Sequence, residues 1–235
     1  MRFPLLPALL LLALNIGVDV CLYRIIRSSN ANRFWARIQK WSAVILAILI
    51  LVLACLPKRS GSDESLVTIM WVLFTYVSIY VPKYIFLIFR AIGSLPLIWH
   101  ADRWRWTSIV GLFVAIVSFV AIWWGALVDR LNIDVREVTV DITDLPADFD
   151  GFTIAQISDL HVGTFGHDTT FVSRLVDSIN SLHPDLIVFT GDIVNRRSEE
   201  FIPFISTMRR LHAPYGVYSV MGNHDYGDYS DWPSM

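Results

Sequence analysis

Three short clusters of acid, histidine and amide residues hold most of the chemistry this sequence can do. They are Asp159-Leu160-His161, Gly191-Asp192-Ile193-Val194-Asn195 and Gly222-Asn223-His224-Asp225. Each closes a β-branched or aromatic run, at 152–158, 186–190 and 217–221, of the kind that forms buried strands. Side chains that emerge where parallel strands end collect in the crevice at the carboxyl edge of the sheet, a common active-site geometry in α/β folds. Carboxylate, imidazole and amide donors together suit a divalent metal of intermediate hardness better than one that prefers thiolates. Singly the clusters are weak signals: Asp-x-His is often a surface pair, Gly-Asp an ordinary turn, Asn-His a loop contact to backbone. In this order, at three strand ends with helices between them, they form a candidate metal site, and three polar turns is the rival reading.

The intervening sequence supplies the elements that would position them. Residues 135–142 alternate well enough for a strand, and 145–151 read as a turn. Asp168 caps a predicted helix whose apolar positions Phe171, Val172, Leu175, Val176, Ile179 and Leu182 fall at helical spacing. Pro184-Asp185 ends it. A second helix is expected from near Ser198, with Glu199 and Glu200 at its positive end and Arg209-Arg210 near its negative end. Phe201, Ile202, Ile205, Met208 and Leu211 supply its buried face, and Pro214 stops it. The order β-α-β-α-β, with a polar cluster after each of the last three strands, predicts right-handed crossovers and chemistry on one sheet edge.

The three blocks resemble the first three motifs of the calcineurin-like metallophosphoesterases: Asp159-x-His161, Gly191-Asp192-x-x-Asn195 and Gly222-Asn223-His224-Asp225. The lead-in Leu145-Pro146-Ala147-Asp148-Phe149-Asp150-Gly151-Phe152 and the run Gln156-Ile157-Ser158-Asp159-Leu160-His161-Val162-Gly163 are similar to the membrane-associated bacterial branch. The resemblance covers the chain from about Val135 onward. It implies two divalent ions (Mn, Fe or Zn), with Asp192 as the bridging carboxylate, Asp159 and His161 on one ion and Asn223 on the other through its amide oxygen. An anion between two dications offsets their repulsion, and such paired sites clamp the attacking and leaving oxygens of a phosphoester. The resemblance further implies His224 as a proton donor at the leaving oxygen, Asp225 as an orienter of its ring, and Asn195 as an orienting residue outside the ligand set. The family's later blocks, a lone histidine and a Gly-His-x-His, do not occur in the sequence. The expectation is therefore the front portion of such an enzyme, its α/β domain incomplete at the C-terminus and inactive alone. His100, His167, His183 and His212 lie outside the blocks and read as ordinary polar histidines.

Composition divides the chain. Through Val128 there are four acids against twelve Lys and Arg; from Asp129 there are seventeen acids, seven arginines and no lysine. The net charge of −2 is the sum of about +8 and about −10 and describes neither half. Such asymmetry favours a membrane part, residues 1–130, followed by a soluble part, residues 131–235. No basic patch in the acidic half points to nucleic acid. Cys21 and Cys55 sit in apolar stretches and define no disulfide framework.

Four apolar stretches, about 3–26, 41–56, 66–89 and 107–128, are candidates for spanning helices, which need about 20 largely apolar residues. The second is short and the third is interrupted by Pro82-Lys83. Trp99, Trp104 and Trp106 precede the fourth as an interfacial belt would. Arg2 followed by an apolar core raises a cleaved signal as the alternative for the first stretch; no small-x-small site follows it. Loop charge sets the orientation: Arg24, Arg27, Arg33, Arg37 and Lys40 after the first span, and Arg90, Arg103 and Arg105 after the third, against Arg2, Lys58, Arg59 and Arg130 on the other side. The positive-inside rule then places the phosphoesterase part outside the cytoplasm. Asp19 and Lys83 lie within or beside spans, either paired or capping, or on a transport path.

The fold expected is thus an α-helical membrane region of about four transmembrane helices followed by an α/β metallophosphoesterase domain, β-sheet layers flanked by helices. The function expected is metal-dependent hydrolysis of a phosphomonoester or phosphodiester, with a lipid-linked substrate and membrane lipids as partners. The alternative, from another class, is a non-catalytic truncated membrane protein or a binding module that retains part of a metal site.

Overall fold

Four long helices dominate the first half of the computed structural model, which describes residues 5–28, 33–55 and 63–229. They are α1 (Leu5–Ser28), α2 (Arg33–Cys55), α3 (Asp63–Ile92) and α4 (Arg105–Leu127). All four are long and apolar enough to cross a bilayer. Two differ from expectation. Helix α2 begins at Arg33 rather than 41, because Arg and Lys are good helix formers and hydropathy locates the bilayer, not the helix end. Helix α3 runs unbroken through Pro82. Proline costs one backbone bond, to the Ser78 carbonyl, and helices packed among others in a membrane tolerate that loss. The residues Arg2, Lys58 and Arg59 used for orientation lie outside the described residues, as do the outer ends of the first two predicted spans.

Asp19 and Lys83 pair with each other. The Lys83 ammonium lies 2.7 Å from the Asp19 carboxylate and 4.6 Å from the centroid of the Tyr80 ring. Asp19, only 5% exposed, also accepts hydrogen bonds from Gln39 Nε2 (2.8 Å) and the Tyr80 hydroxyl (2.7 Å). One turn earlier Asn15 donates to the Tyr76 hydroxyl at 2.5 Å and accepts from the Tyr84 hydroxyl. Residues 76, 80, 83 and 84 share one face of α3, as 15 and 19 share one face of α1. A single replacement, Lys83→Met or Asp19→Asn, is expected to leave a buried partner uncompensated and cost about 3–5 kcal/mol. The double replacement should cost less than the sum, as read from melting of the protein in detergent. Additive losses would rule out the coupling.

The chain forms two compact units, the first ending at Arg130 and the second built on the chain from Leu131 onward. In the second, β1 (Ile154–Ile157), β2 (Leu186–Phe189) and β3 (Val217–Ser219) make a parallel sheet in the order β1-β2-β3. Helix α5 (Thr170–Ser181) connects β1 to β2. Its N-cap is Thr169 rather than the expected Asp168, which stands one residue earlier and accepts the Thr170 backbone N–H at 2.9 Å. Hydrogen bonds from the Thr170 side chain and backbone hold the Asp168 carboxyl below the usual carboxylate range. Val172 and Val176 of α5 pack with Phe189 of β2, Val162, Val194 and Phe204 in the main core.

Two elements depart from the sequence reading. Residues 135–142 form no strand, and Val138, at 78%, is among several exposed apolar residues there. Alternation gives a strand a face, but a strand also needs a neighbour to take its backbone bonds, and none pairs with this segment among the described residues. The second predicted helix is instead a 3₁₀ stretch, Ser198–Phe204, leading into the short α6 (Ile205–Met208). Pro203 lies inside it and has no N–H to donate, which costs the regular i to i−4 ladder a bond at that point and disfavours an α-helix there.

Candidate metal centre

The loops that leave the three strands are tied edge to edge. Beyond β1, Asp159, His161 and Val162 donate their backbone N–H groups to the carbonyls of Gly191, Asp192 and Ile193, at 3.0, 3.1 and 2.9 Å. The pairing of β1 with β2 is thereby extended into the motif loops. Asp159, His161 and Asp192 all hold left-handed backbone, with φ of 54°, 45° and 56°, a conformation uncommon for residues that carry a Cβ. The third loop meets the second at Gly222, where an added Cβ would lie 2.2 Å from the Asp192 carboxylate. Only glycine permits that approach. His224 N–H then donates to Asp192 Oδ1 at 2.8 Å.

Asp225 locks the three loops. One of its oxygens accepts the backbone N–H groups of Asp192 (2.7 Å) and Gly222 (2.9 Å), the other those of Ile193 (2.9 Å) and Val194 (3.1 Å). This corrects the expectation that Asp225 orients the His224 ring: the carboxylate is spent on four amides. The ring is oriented instead by Asn195, whose backbone carbonyl lies 2.7 Å from His224 Nδ1. His161 Nδ1 likewise faces the Val194 carbonyl at 3.1 Å. A carbonyl can only accept, so both Nδ1 atoms carry the proton and each neutral ring keeps its lone pair on Nε2. Metal-ligating histidines are commonly held by such an outer hydrogen bond.

Donor atoms of His161, Asp192 and His224 lie within 4.8 Å of one another. Two imidazoles and a carboxylate fit a divalent ion such as Zn, Fe or Mn. The two rings meet edge to face, centroids 4.7 Å apart. Of the ligands expected from the sequence, His161 and Asp192 are thus brought together, joined by His224, which the sequence reading keeps out of the ligand set. Asp159 stands beside them: its carboxylate is 3.8 Å from His161 Nε2, accepts the Ser158 hydroxyl at 2.5 Å, and is 65% exposed. Asn223 donates its Nδ2–H to the Tyr229 hydroxyl at 3.0 Å. Asn195 stands in support, its side chain donating to Thr164 Oγ1 at 3.1 Å.

Glu200 was not foreseen. The sequence puts it at the positive end of a helix, and the structure buries it, where it accepts the Asn195 backbone N–H at 2.6 Å. Its carboxylate lies against Gly163, where a Cβ would come within 2.4 Å of it. Glu200 therefore steadies the same peptide segment that orients His224. The glycine two residues after His161 was the available signal; nothing local to Glu200 separates it from Glu199.

A parallel sheet with carboxylate and imidazole side chains gathered where its strands end, in a chain that also carries four membrane-length helices, defines a membrane-associated α/β protein with a candidate metal site. Residues 1–130 match the family described as probable calcineurin-like phosphoesterase, transmembrane domain, and residues 152–234 match the calcineurin-like phosphoesterase domain. The chain belongs to this family of membrane-associated calcineurin-like phosphoesterases. It is 37% identical over 99 residues to an uncharacterized metallophosphoesterase of Bacillus subtilis, covering 41% of this chain and 34% of the relative. It is 42% identical over 80 residues to a UDP-2,3-diacylglucosamine pyrophosphatase of Chlamydia trachomatis, covering 34% and 24%. A transmembrane protein with metallophosphoesterase domain from Bos taurus is 30% identical over 146 residues, covering 61% and 31%. The chain thus spans about a quarter to a third of the length of these relatives. No solved structure matches it significantly.

Proposed function

We propose that the protein hydrolyses a phosphomonoester or phosphodiester at a site for two divalent ions, and that its substrate is lipid-linked. The observation that carries the reading is the convergence of His161, Asp192 and His224 at the ends of parallel strands. Residues 1–130 would be the membrane domain and residues 131–235 the start of the phosphoesterase domain. Ions bound there would supply positive charge at the phosphoryl oxygens and a nucleophile at neutral pH. Asp192 would be shared between them, with Asp159 and His161 on one side and Asn223 on the other. His224, its Nδ1–H held by the Asn195 carbonyl, would deliver a proton from Nε2 to the leaving oxygen when the ring is protonated. Asp225 and Glu200 would hold the backbone that aims these groups.

The four apolar helices and the acylated sugar nucleotide in the Chlamydia relative's name both support a substrate whose chains stay in the bilayer. Metal analysis of the full-length protein, followed by hydrolysis assays on lipid-linked and soluble phosphoesters, tests the reading. Hydrolysis of neither class by a metal-loaded protein would remove it.

The extracytoplasmic placement of the phosphoesterase part rests on the basic loops after α1 and α3. An alkaline-phosphatase reporter fused after Arg130 is expected to be active and one fused at Arg33 inactive. The reverse pattern would put the site in the cytoplasm.

A further inference from the structure

Tyr229 touches two residues of the site at once. Its ring lies on the His224 imidazole, with centroids 4.3 Å apart and planes inclined by 19°. Its hydroxyl accepts the Asn223 Nδ2–H at 3.0 Å. Each contact restricts a freedom of the residue it touches; the His224 ring also meets the His161 ring. The Asn195 carbonyl fixes one atom of the His224 ring, Nδ1, and the stacked tyrosine fixes the plane. An asparagine amide has a donor end and an acceptor end that exchange by a half-turn of the terminal torsion. With Nδ2 held on a hydroxyl, Oδ1 is the atom left for a cation.

We propose that Tyr229 is a positioning residue of this site, setting the ring plane of His224 and holding the Nδ2 end of the Asn223 amide, so that the oxygen is the end a divalent ion would meet. The inference rests on the metal-dependent reading above. Tyr229 is 44% exposed, so its side chain buries little area, and its replacement should leave the fold intact. An outer-sphere partner of this kind typically changes metal affinity by about 10- to 100-fold when removed.

Two variants of the full-length protein in detergent separate the two contacts. Tyr229→Phe keeps the stacked ring and loses the acceptor; Tyr229→Leu loses both. Mn²⁺ affinity is read from the free-ion electron paramagnetic resonance signal. Ring exposure is read in metal-free protein from the rate at which diethyl pyrocarbonate modifies His224, followed by mass spectrometry. Both variants are expected to bind Mn²⁺ about 10-fold or more weakly. Only Tyr229→Leu should show a several-fold faster modification of His224. Wild-type Mn²⁺ affinity in Tyr229→Phe, or an unchanged modification rate in Tyr229→Leu, overturns the assignment. So does a fall in melting temperature that tracks the affinity loss, which would mark a merely structural residue. A wild-type protein that binds no divalent ion overturns the reading of the site itself, whereas a binding wild type with unaffected variants overturns only the role of Tyr229.

Discussion

Asp192→Asn is expected to abolish hydrolysis and to lower bound metal toward one ion or none. The substitution is nearly isosteric, and its amide oxygen still accepts the His224 N–H that Oδ1 now takes at 2.8 Å, so the loops should stay in place. What disappears is the negative charge at the point where the imidazoles converge, and with it the group that would offset repulsion between two dications. His224→Ala should behave differently, weakening metal binding less than Asp192→Asn does while slowing turnover on the order of 10²–10⁴-fold, as for a lost general acid. Metal counts by plasma mass spectrometry beside kcat separate the two. If His224→Ala stripped the ions while Asp192→Asn kept them, the roles assigned here would be exchanged.

Asp225→Asn should unfold the site although it changes a single atom. Four backbone N–H groups converge on the Asp225 carboxylate, and an amide offers them one oxygen and one NH₂. Two amides would then face a donor instead of an acceptor. Hydrogen bonds to a charged group contribute about 1.5–3 kcal/mol each, so a loss of roughly 3–5 kcal/mol in the stability of the second unit is expected. Amide hydrogen exchange should quicken at Asp192, Ile193 and Val194, and metal binding should fail as a consequence. Unchanged exchange at those amides together with lost turnover would mean that Asp225 acts on the ring after all.

Much of this architecture is legible in the residues. The spans appear because twenty apolar residues in a row have few other uses. The three strands appear because Phe152–Ser158-like runs end abruptly in Gly, Asp and Asn. The failures have physical causes. Residues 135–142 carry a strand's alternation, but pairing is a property of two segments and alternation describes only one. After Ser198 the apolar positions fit a helix, while Pro203 among them removes a bond from its ladder and disfavours it. Asp225 and Glu200 act on backbone amides, Asp225 across some 30 residues and Glu200 on Asn195 and Arg196 just before it, and side-chain type alone does not reveal which amides a carboxylate will meet. The pairing of Asp19 with Lys83, 64 residues apart, was one of two readings open from the sequence, and helix packing decided it.

The left-handed backbone at Asp159, His161 and Asp192 has an implication for protein engineering. Each side chain there is held against a conformational preference on the order of 1–2 kcal/mol, which glycine would escape. A library selected for heat resistance alone should therefore enrich glycine at these three positions, and each such winner would be tougher and chemically blank. Thermostabilised variants of this protein are best sought with turnover in the screen, because the positions where backbone relaxation is easiest coincide with those proposed to hold the metal.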